Sequence, residues 1–121
     1  MPRTARAAVA GQIYHVLNRG NGRGQVFFDD TDYAAFIRLL ANASDRHPVA
    51  LMAACIMPNH FHLVVEPQTD EALAAWMHWL TTSHVRRHHR RYGGSGHIWQ
   101  GRYKDFPVQV RTLPSYRSTL R

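Results

Sequence analysis

The sequence predicts an α+β domain with elements in the order β-α-β-β-α-β. Three observations carry that expectation. Apolar residues recur at three- and four-residue spacing in two separate stretches, which marks helices with one buried face. Short apolar or alternating runs bounded by Gly, Pro and Asn lie before, between and after those stretches, which marks strands. The chain is 121 residues long with 45% hydrophobic residues, so it is one domain that can bury a core without staples.

The elements follow in order. Residues 1–11 are small and basic and read as an N-terminal arm. Gln12 to Leu17 alternates as a strand, with Ile13, Val16 and Leu17 apolar. Asn18 to Gly24 reads as a loop, because Gly and Asn tolerate positive φ. Val26, Phe27 and Phe28 form a short strand or a packed loop end. Asp30-Thr31-Asp32 offers helix N-caps. Tyr33, Phe36, Ile37 and Leu40 then share one helical face, and His47-Pro48 ends that helix. Val49 to Met57 is a continuous apolar run of strand length, in which Cys55 reads as a small core residue. Pro58-Asn59 interrupts, His60 to Glu66 resumes as a strand, and Pro67 closes it. A second helix starts near Asp70. Leu73, Trp76, Met77, Leu80 and His84 make its stripe, and Tyr92-Gly93-Gly94 stops it. His97 to Val110 holds a last strand, with Trp99, Tyr103, Phe106 and Val108. An antiparallel sheet with two helices on one face, the ferredoxin-like arrangement, accommodates that order.

The charge is +7 with a sequence pI near 10.5. Lys104 is the only lysine, so arginine carries the bias. Such a balance suits a polyanion, nucleic acid first and an anionic membrane surface second, although an arginine-rich proteome gives the same composition. Cys55 is the one cysteine, which excludes an intrachain disulfide and a cysteine-based zinc cluster. No signal peptide or membrane-spanning stretch is visible, and the expected location is the cytoplasm with no membrane partner.

The chemistry centres on His60-Phe61-His62. Alternate residues of a strand share a face, so the two imidazoles project together while Phe61 enters the core. Such a pair can chelate one divalent metal. A bare His-x-His is more often two surface histidines, and the flanking residues decide. Met57-Pro58-Asn59-His60-Phe61-His62-Leu63-Val64-Val65 resembles the hallmark of the single-tyrosine HUH transposases, in the branch associated with insertion sequences and repetitive extragenic palindromes. Asn18-Arg19-Gly20-Asn21 and Ser95-Gly96-His97-Ile98-Trp99-Gln100-Gly101-Arg102-Tyr103-Lys104 resemble the same family, in the same order. The resemblance spans about Gln12 to Gln109 and delimits an HUH domain at 12–110.

That resemblance implies a ferredoxin-like core that cuts and rejoins single-stranded or hairpin DNA. A tyrosine hydroxyl attacks the scissile phosphate and forms a 5′-phosphotyrosine link, while a divalent cation on the two histidines polarises the phosphate. On it, His60 and His62 carry over as metal ligands for Mg²⁺ or Mn²⁺; imidazole favours Mn²⁺, but the sequence does not choose. Family members often act as homodimers.

Basic blocks supply candidate DNA contacts. Arg86, Arg87, Arg90 and Arg91 lie at the distal end of the second helix, where phosphate contact competes with a solvated helix end favoured by the dipole. Gln100, Arg102 and Lys104 occupy alternate positions of the expected last strand and share a face, with Trp99, Gly101 and Tyr103 on the other. Asn18 and Arg19 sit in a glycine loop that either approaches a DNA backbone or simply turns the chain.

The chain departs from the family in one respect. The family's nucleophile lies beyond the Trp-Gln-Gly-Arg block in a Tyr-x-x-x-Asn-Pro helix, and no such pattern follows here. Residues 111–121 read as an irregular, frameshifted tail, in which Pro114 opposes a helix. Tyr116 is the remaining catalytic candidate, on a segment that neither places nor activates it. The expectation is therefore a DNA- and metal-binding transposase relative with impaired catalysis. The alternative is a catalytically inactive nucleic-acid-binding module regulating a full-length relative.

Overall fold

The computed structural model describes residues 8–109. The first residues of the expected arm (1–7), the tail from 110 onward and Tyr116 lie outside that range. Within it, β1 (Tyr14–Arg19), a 3₁₀ turn (Asn21–Arg23), α1 (Asp30–Arg46), β2 (Val49–Met57), β3 (His60–Pro67), α2 (Ala72–Tyr92) and β4 (Lys104–Pro107) follow in chain order. The strands form one sheet in the order β2-β3-β1-β4 with every pairing antiparallel. This is the α+β, ferredoxin-like order expected from the sequence.

The pleat of the two central strands sorts their side chains. Val16, Phe61, Leu63 and Val65 are fully buried against the helices, and Tyr14 joins them. His15, Leu17, His60, His62 and Val64 point to the opposite, half-open face. From the helices, Phe36, Leu40, Leu73, Trp76, Met77 and Leu80 complete the core. Burying several large side chains of this kind contributes roughly 1.5–3 kcal/mol each before entropy is counted.

Helix boundaries follow local chemistry. Asp29 caps α1, one residue earlier than expected, because its carboxylate accepts the Asp32 N–H. The helix stops at His47, just before Pro48. Its buried face holds Ala35, Phe36, Leu40 and Ala43, whereas Ile37 is exposed. α2 buries the whole expected stripe from Leu73 to His84 and ends at Gly93, whose φ of 75° is left-handed.

Other expectations change or are decided between alternatives. β2 is an edge strand exposed along most of its length, so the apolar run is not buried and Cys55 is exposed rather than in the core. The last strand is only Lys104–Pro107; before it the chain is irregular, apart from a bridge between Trp99 and Gly20. Val26 and Phe27 are a packed loop end whose N–H groups both donate to the Pro58 carbonyl. Residues 8–11 of the expected arm are tied down: Ala8 is buried, the Val9 N–H donates to the Tyr14 hydroxyl, and the Gly11 N–H donates to the Pro67 carbonyl. No helix among the described residues is long and apolar enough to cross a membrane.

Candidate functional site

The site is built by strand register. On the open face, β3 presents His60 and His62 two residues apart, and β1 lies beside it. Arg19 stands opposite His60 and Leu17 opposite His62. One strand outward, Lys104 of β4 stands opposite Leu17. On the other side, Cys55 and Met57 of β2 stand opposite His62 and His60. A single rung of the sheet therefore reads Cys55, His62, Leu17, Lys104.

Three loops are stitched together at the end of this face. The Gly20 N–H donates to the Asn59 carbonyl, the Asn21 N–H to Ile98 and the Gln100 N–H to Arg19, at 2.8, 2.8 and 2.9 Å. The buried Asn18 side chain donates to the Gly101 carbonyl at 3.1 Å and accepts the Arg19 N–H at 2.9 Å. Gly20 has no substitute here, because a Cβ would overlap the Gly24 carbonyl oxygen. Asn18 thus acts as a clamp between β1 and the 97–103 segment, while Arg19 next to it is exposed.

The stitched loops frame two adjoining cavities. One, of about 360 Å³, is lined by Leu17, Asn18, Arg19, Arg23, Asn59, His60 and His62. The other, of about 220 Å³, is lined by Leu17, Asn18, Arg19, Gln100, Arg102 and Lys104. Gln100, Arg102 and Lys104 therefore converge as expected, although loop geometry and not strand alternation brings them together. A larger groove of about 610 Å³ lies elsewhere, between α2 and the 96–103 segment, with Arg86 and Arg102 on its lining.

Hydrogen bonding and burial fix the state of the two histidine rings. Nδ1 of His60 lies 2.8 Å from Oδ1 of Asn59, so the ring donates there and leaves Nε2 with its lone pair. Burial, and then the neighbouring His15 and His60, push the His62 pKa down, which favours the neutral ring a metal requires. Among the described residues no three His, Cys, Asp or Glu side chains are arranged to hold an ion. Two imidazoles on one face would supply part of a divalent cation's donor set. Among the described residues no carboxylate lines the cavity around the pair.

The four helix arginines divide into pairs. Arg87 donates to Asp32 at 2.6 Å, and Arg91 donates to Asp32 and Asp29, each at 2.7 Å. These two are turned toward the start of α1 and tie α2 to it. Arg86 and Arg90 are exposed, with no ion pair among the described residues. Asp32 is buried at 1% exposure. Burial raises its pKa, but hydrogen bonds from the Tyr92 hydroxyl, Arg87 and the Phe28 N–H, with the Arg91 charge, hold it well below the usual carboxylate range.

Sequence reasoning missed His15, Asn59 and Arg23. Alternation along β1 puts His15 on the same face as Arg19, so its orientation was readable; its nearness to His62 required the strand order. Trp99 is buried in the core.

The fold recurs in solved structures. A REP-associated tyrosine transposase bound to a REP hairpin aligns with a TM-score of 0.70 at 19% identity, over 98% of this chain and 68% of that one. A transposase candidate from Deinococcus radiodurans R1 aligns with a TM-score of 0.65 at 18% identity, over 98% and 92%. Identities this low speak for the fold alone. No curated protein matches the chain. The family model described as "Transposase IS200 like" matches residues 8–118. The chain belongs to the IS200-like transposase family.

Proposed function

We propose that this chain binds single-stranded or hairpin DNA across the open face of its sheet and takes a divalent cation, Mg²⁺ or Mn²⁺, on His60 and His62, with strand cleavage impaired. The observation that carries this reading is that the histidine pair shares one cavity with Arg19 and Arg23, while Arg102 and Lys104 line a second cavity that adjoins it through Leu17, Asn18 and Arg19. Four cations on one face attract a polyanion and hold its phosphates. When bound, the metal would draw charge from a phosphodiester oxygen. The arginines orient the strand, and Asn18 and Gly20 keep the loops that carry them in place. The REP hairpin held by the structural relative supports hairpin DNA as the partner class. The exposed edge of β2 supports pairing with a second copy, and a DNA-handling partner class fits a cytoplasmic protein.

Impairment rests on the tyrosines. Tyr14 is buried on the inner face, Tyr33 packs on Phe27, and the Tyr92 hydroxyl donates to Asp32. Tyr103 is half-buried, and burial raises its pKa, away from the ionised nucleophile. None of these lines the cavities around the histidines. Tyr116 lies outside the described residues.

The test uses hairpin DNA labelled at its 3′ end. Fluorescence anisotropy should report binding that weakens with salt and, in His60→Ala with His62→Ala, loses its dependence on Mn²⁺. A covalent protein–DNA adduct with Mn²⁺, absent from Tyr116→Phe, would overturn the impairment. No binding to single-stranded or hairpin DNA would overturn the DNA reading altogether.

A further inference from the structure

His15 is the one histidine of the open face that the reading above leaves without a role. Its Nε2 lies 2.9 Å from Nδ1 of His62. The two ring planes are 20° apart and the ring centres 5.1 Å apart. That separation equals the nitrogen–nitrogen distance plus about one ring radius on each side. The rings therefore meet edge to edge, nearly in one plane, and are joined by an N–H···N hydrogen bond. Face-to-face stacking does not give this geometry.

An imidazole–imidazole bond holds one proton, and its location sets what His62 can do. With the proton on Nδ1 of His62, the lone pair sits on Nε2 and can bind a cation. With the proton on Nε2 of His15, His62 accepts through Nδ1 and its Nε2 carries hydrogen, which blocks that nitrogen. His60 provides the comparison, because its Nδ1 faces the side-chain amide oxygen Oδ1 of Asn59, which only accepts. The His60 ring is thus held in the Nδ1–H form. Both rings then have the same arrangement: Nδ1 engaged sideways and Nε2 free of hydrogen bonds to the described residues.

We propose that His15 is a positioning residue: its Nε2 accepts the Nδ1–H of His62, fixing the tautomer and the plane of that ring so that Nε2 of His62 faces the cation site. Outer partners of this kind orient ligand histidines generally, and their loss costs about 10- to 100-fold in metal affinity. A histidine is an unusual acceptor for the task, since it must itself be neutral. The inference rests on the metal reading of His60 and His62, but the first measurement below does not need a metal.

The experiment uses the full chain with ¹⁵N-labelled imidazoles. Two-bond ¹H–¹⁵N correlation spectra of the metal-free protein should give the Nδ1–H form for His62, changing in His15→Phe to a mixture containing Nε2–H, with His60 unmoved. His15→Gln, whose amide oxygen accepts, should restore the Nδ1–H form. A His62 tautomer identical in the unmodified chain and in His15→Phe would overturn the proposal. Mn²⁺ binding by electron paramagnetic resonance supplies the second readout, with an expected loss of about tenfold in His15→Phe and recovery in His15→Gln. Pulsed spectra should count two coupled imidazole nitrogens; a third, lost in His15→Gln, would make His15 a ligand and overturn positioning. An unmodified chain that takes up no Mn²⁺ would remove the metal reading instead, and the tautomer comparison would still decide the role of His15. His60 signals that keep their positions in each variant show that the fold has survived the substitution.

Discussion

Arg19 and His60 are direct cross-strand partners on the open face of the sheet. Both side chains line one cavity, so a phosphate drawn to Arg19 would lie near the candidate metal ligand. Three more cations, Arg23, Arg102 and Lys104, line the same pair of cavities.

The first prediction concerns salt. If those four cations each neutralise one phosphate, the log–log slope of single-strand affinity against salt is about −3. Arg19→Ala should weaken binding and flatten the slope by about 0.7, leaving the melting temperature nearly unchanged. Anisotropy titrations at several salt concentrations measure it. A slope unmoved by Arg19→Ala removes this residue from the DNA track.

Arg87 should behave in the opposite way. Its partner Asp32 is buried and also accepts from Tyr92, Arg91 and the Phe28 N–H. Asp32→Ala strands those donors and should cost about 3 kcal/mol of stability, read by urea denaturation. Arg87→Ala should lower stability and leave the salt slope alone. Should Arg87→Ala instead flatten that slope like Arg19→Ala, the arginine contacts DNA after all.

The contrast between these arginines marks where sequence reading stops. Periodicity is a local signal, so the stripe from Leu73 to His84 and the alternation of β3 were legible, and with them the histidine pair. Ion pairing is not local. Arg87 and Arg91 meet Asp32 across 55 and 59 residues, and a run of Arg and His looks the same whether or not carboxylates face it. The apolar run of β2 is a similar case. Its composition suits a buried strand, but the strand order puts it at the edge, and only that order reveals Cys55 and Met57 as exposed neighbours of the histidines. Asn18 belongs to the same class, since its clamp on Gly101 spans 83 residues.

That edge carries the third prediction. β2 pairs with β3 on one side only and leaves Leu51, Met52 and Met57 exposed at 36, 55 and 40%. An unpaired apolar edge invites a second strand, and charge on it discourages pairing. Sedimentation should find a concentration-dependent dimer for the unmodified chain and a monomer for Leu51→Lys with Met52→Lys. A chain that is monomeric at every concentration rules out pairing through β2.

The last prediction is a pH dependence of folding. His84 is 1% exposed, packed among Phe27, Phe36 and Trp99, and its Nδ1 has no partner. Burial first, then the charges of His88 and Arg87, lower its pKa from 6.5 to about 4, against a smaller opposing effect of Asp32. The folded protein thus keeps the ring neutral while the unfolded chain protonates it near 6.5. The stabilisation is complete above that pH, declines as pH falls from 6.5 toward 4, and is exhausted below. The difference corresponds to about 3 kcal/mol. Asp32 acts in a separate window: its carboxylate is held below the unfolded value of 3.8, so its contribution disappears only as pH falls further. Urea denaturation between pH 7.5 and 4 should therefore show a steady loss of stability in the unmodified chain. In His84→Leu, which keeps an apolar side chain in the same space, that loss should shrink, leaving the part that His62 and His88, also held below the ordinary histidine value, contribute. An equally steep decline in both proteins would assign the pH dependence to other groups and leave His84 as packing alone.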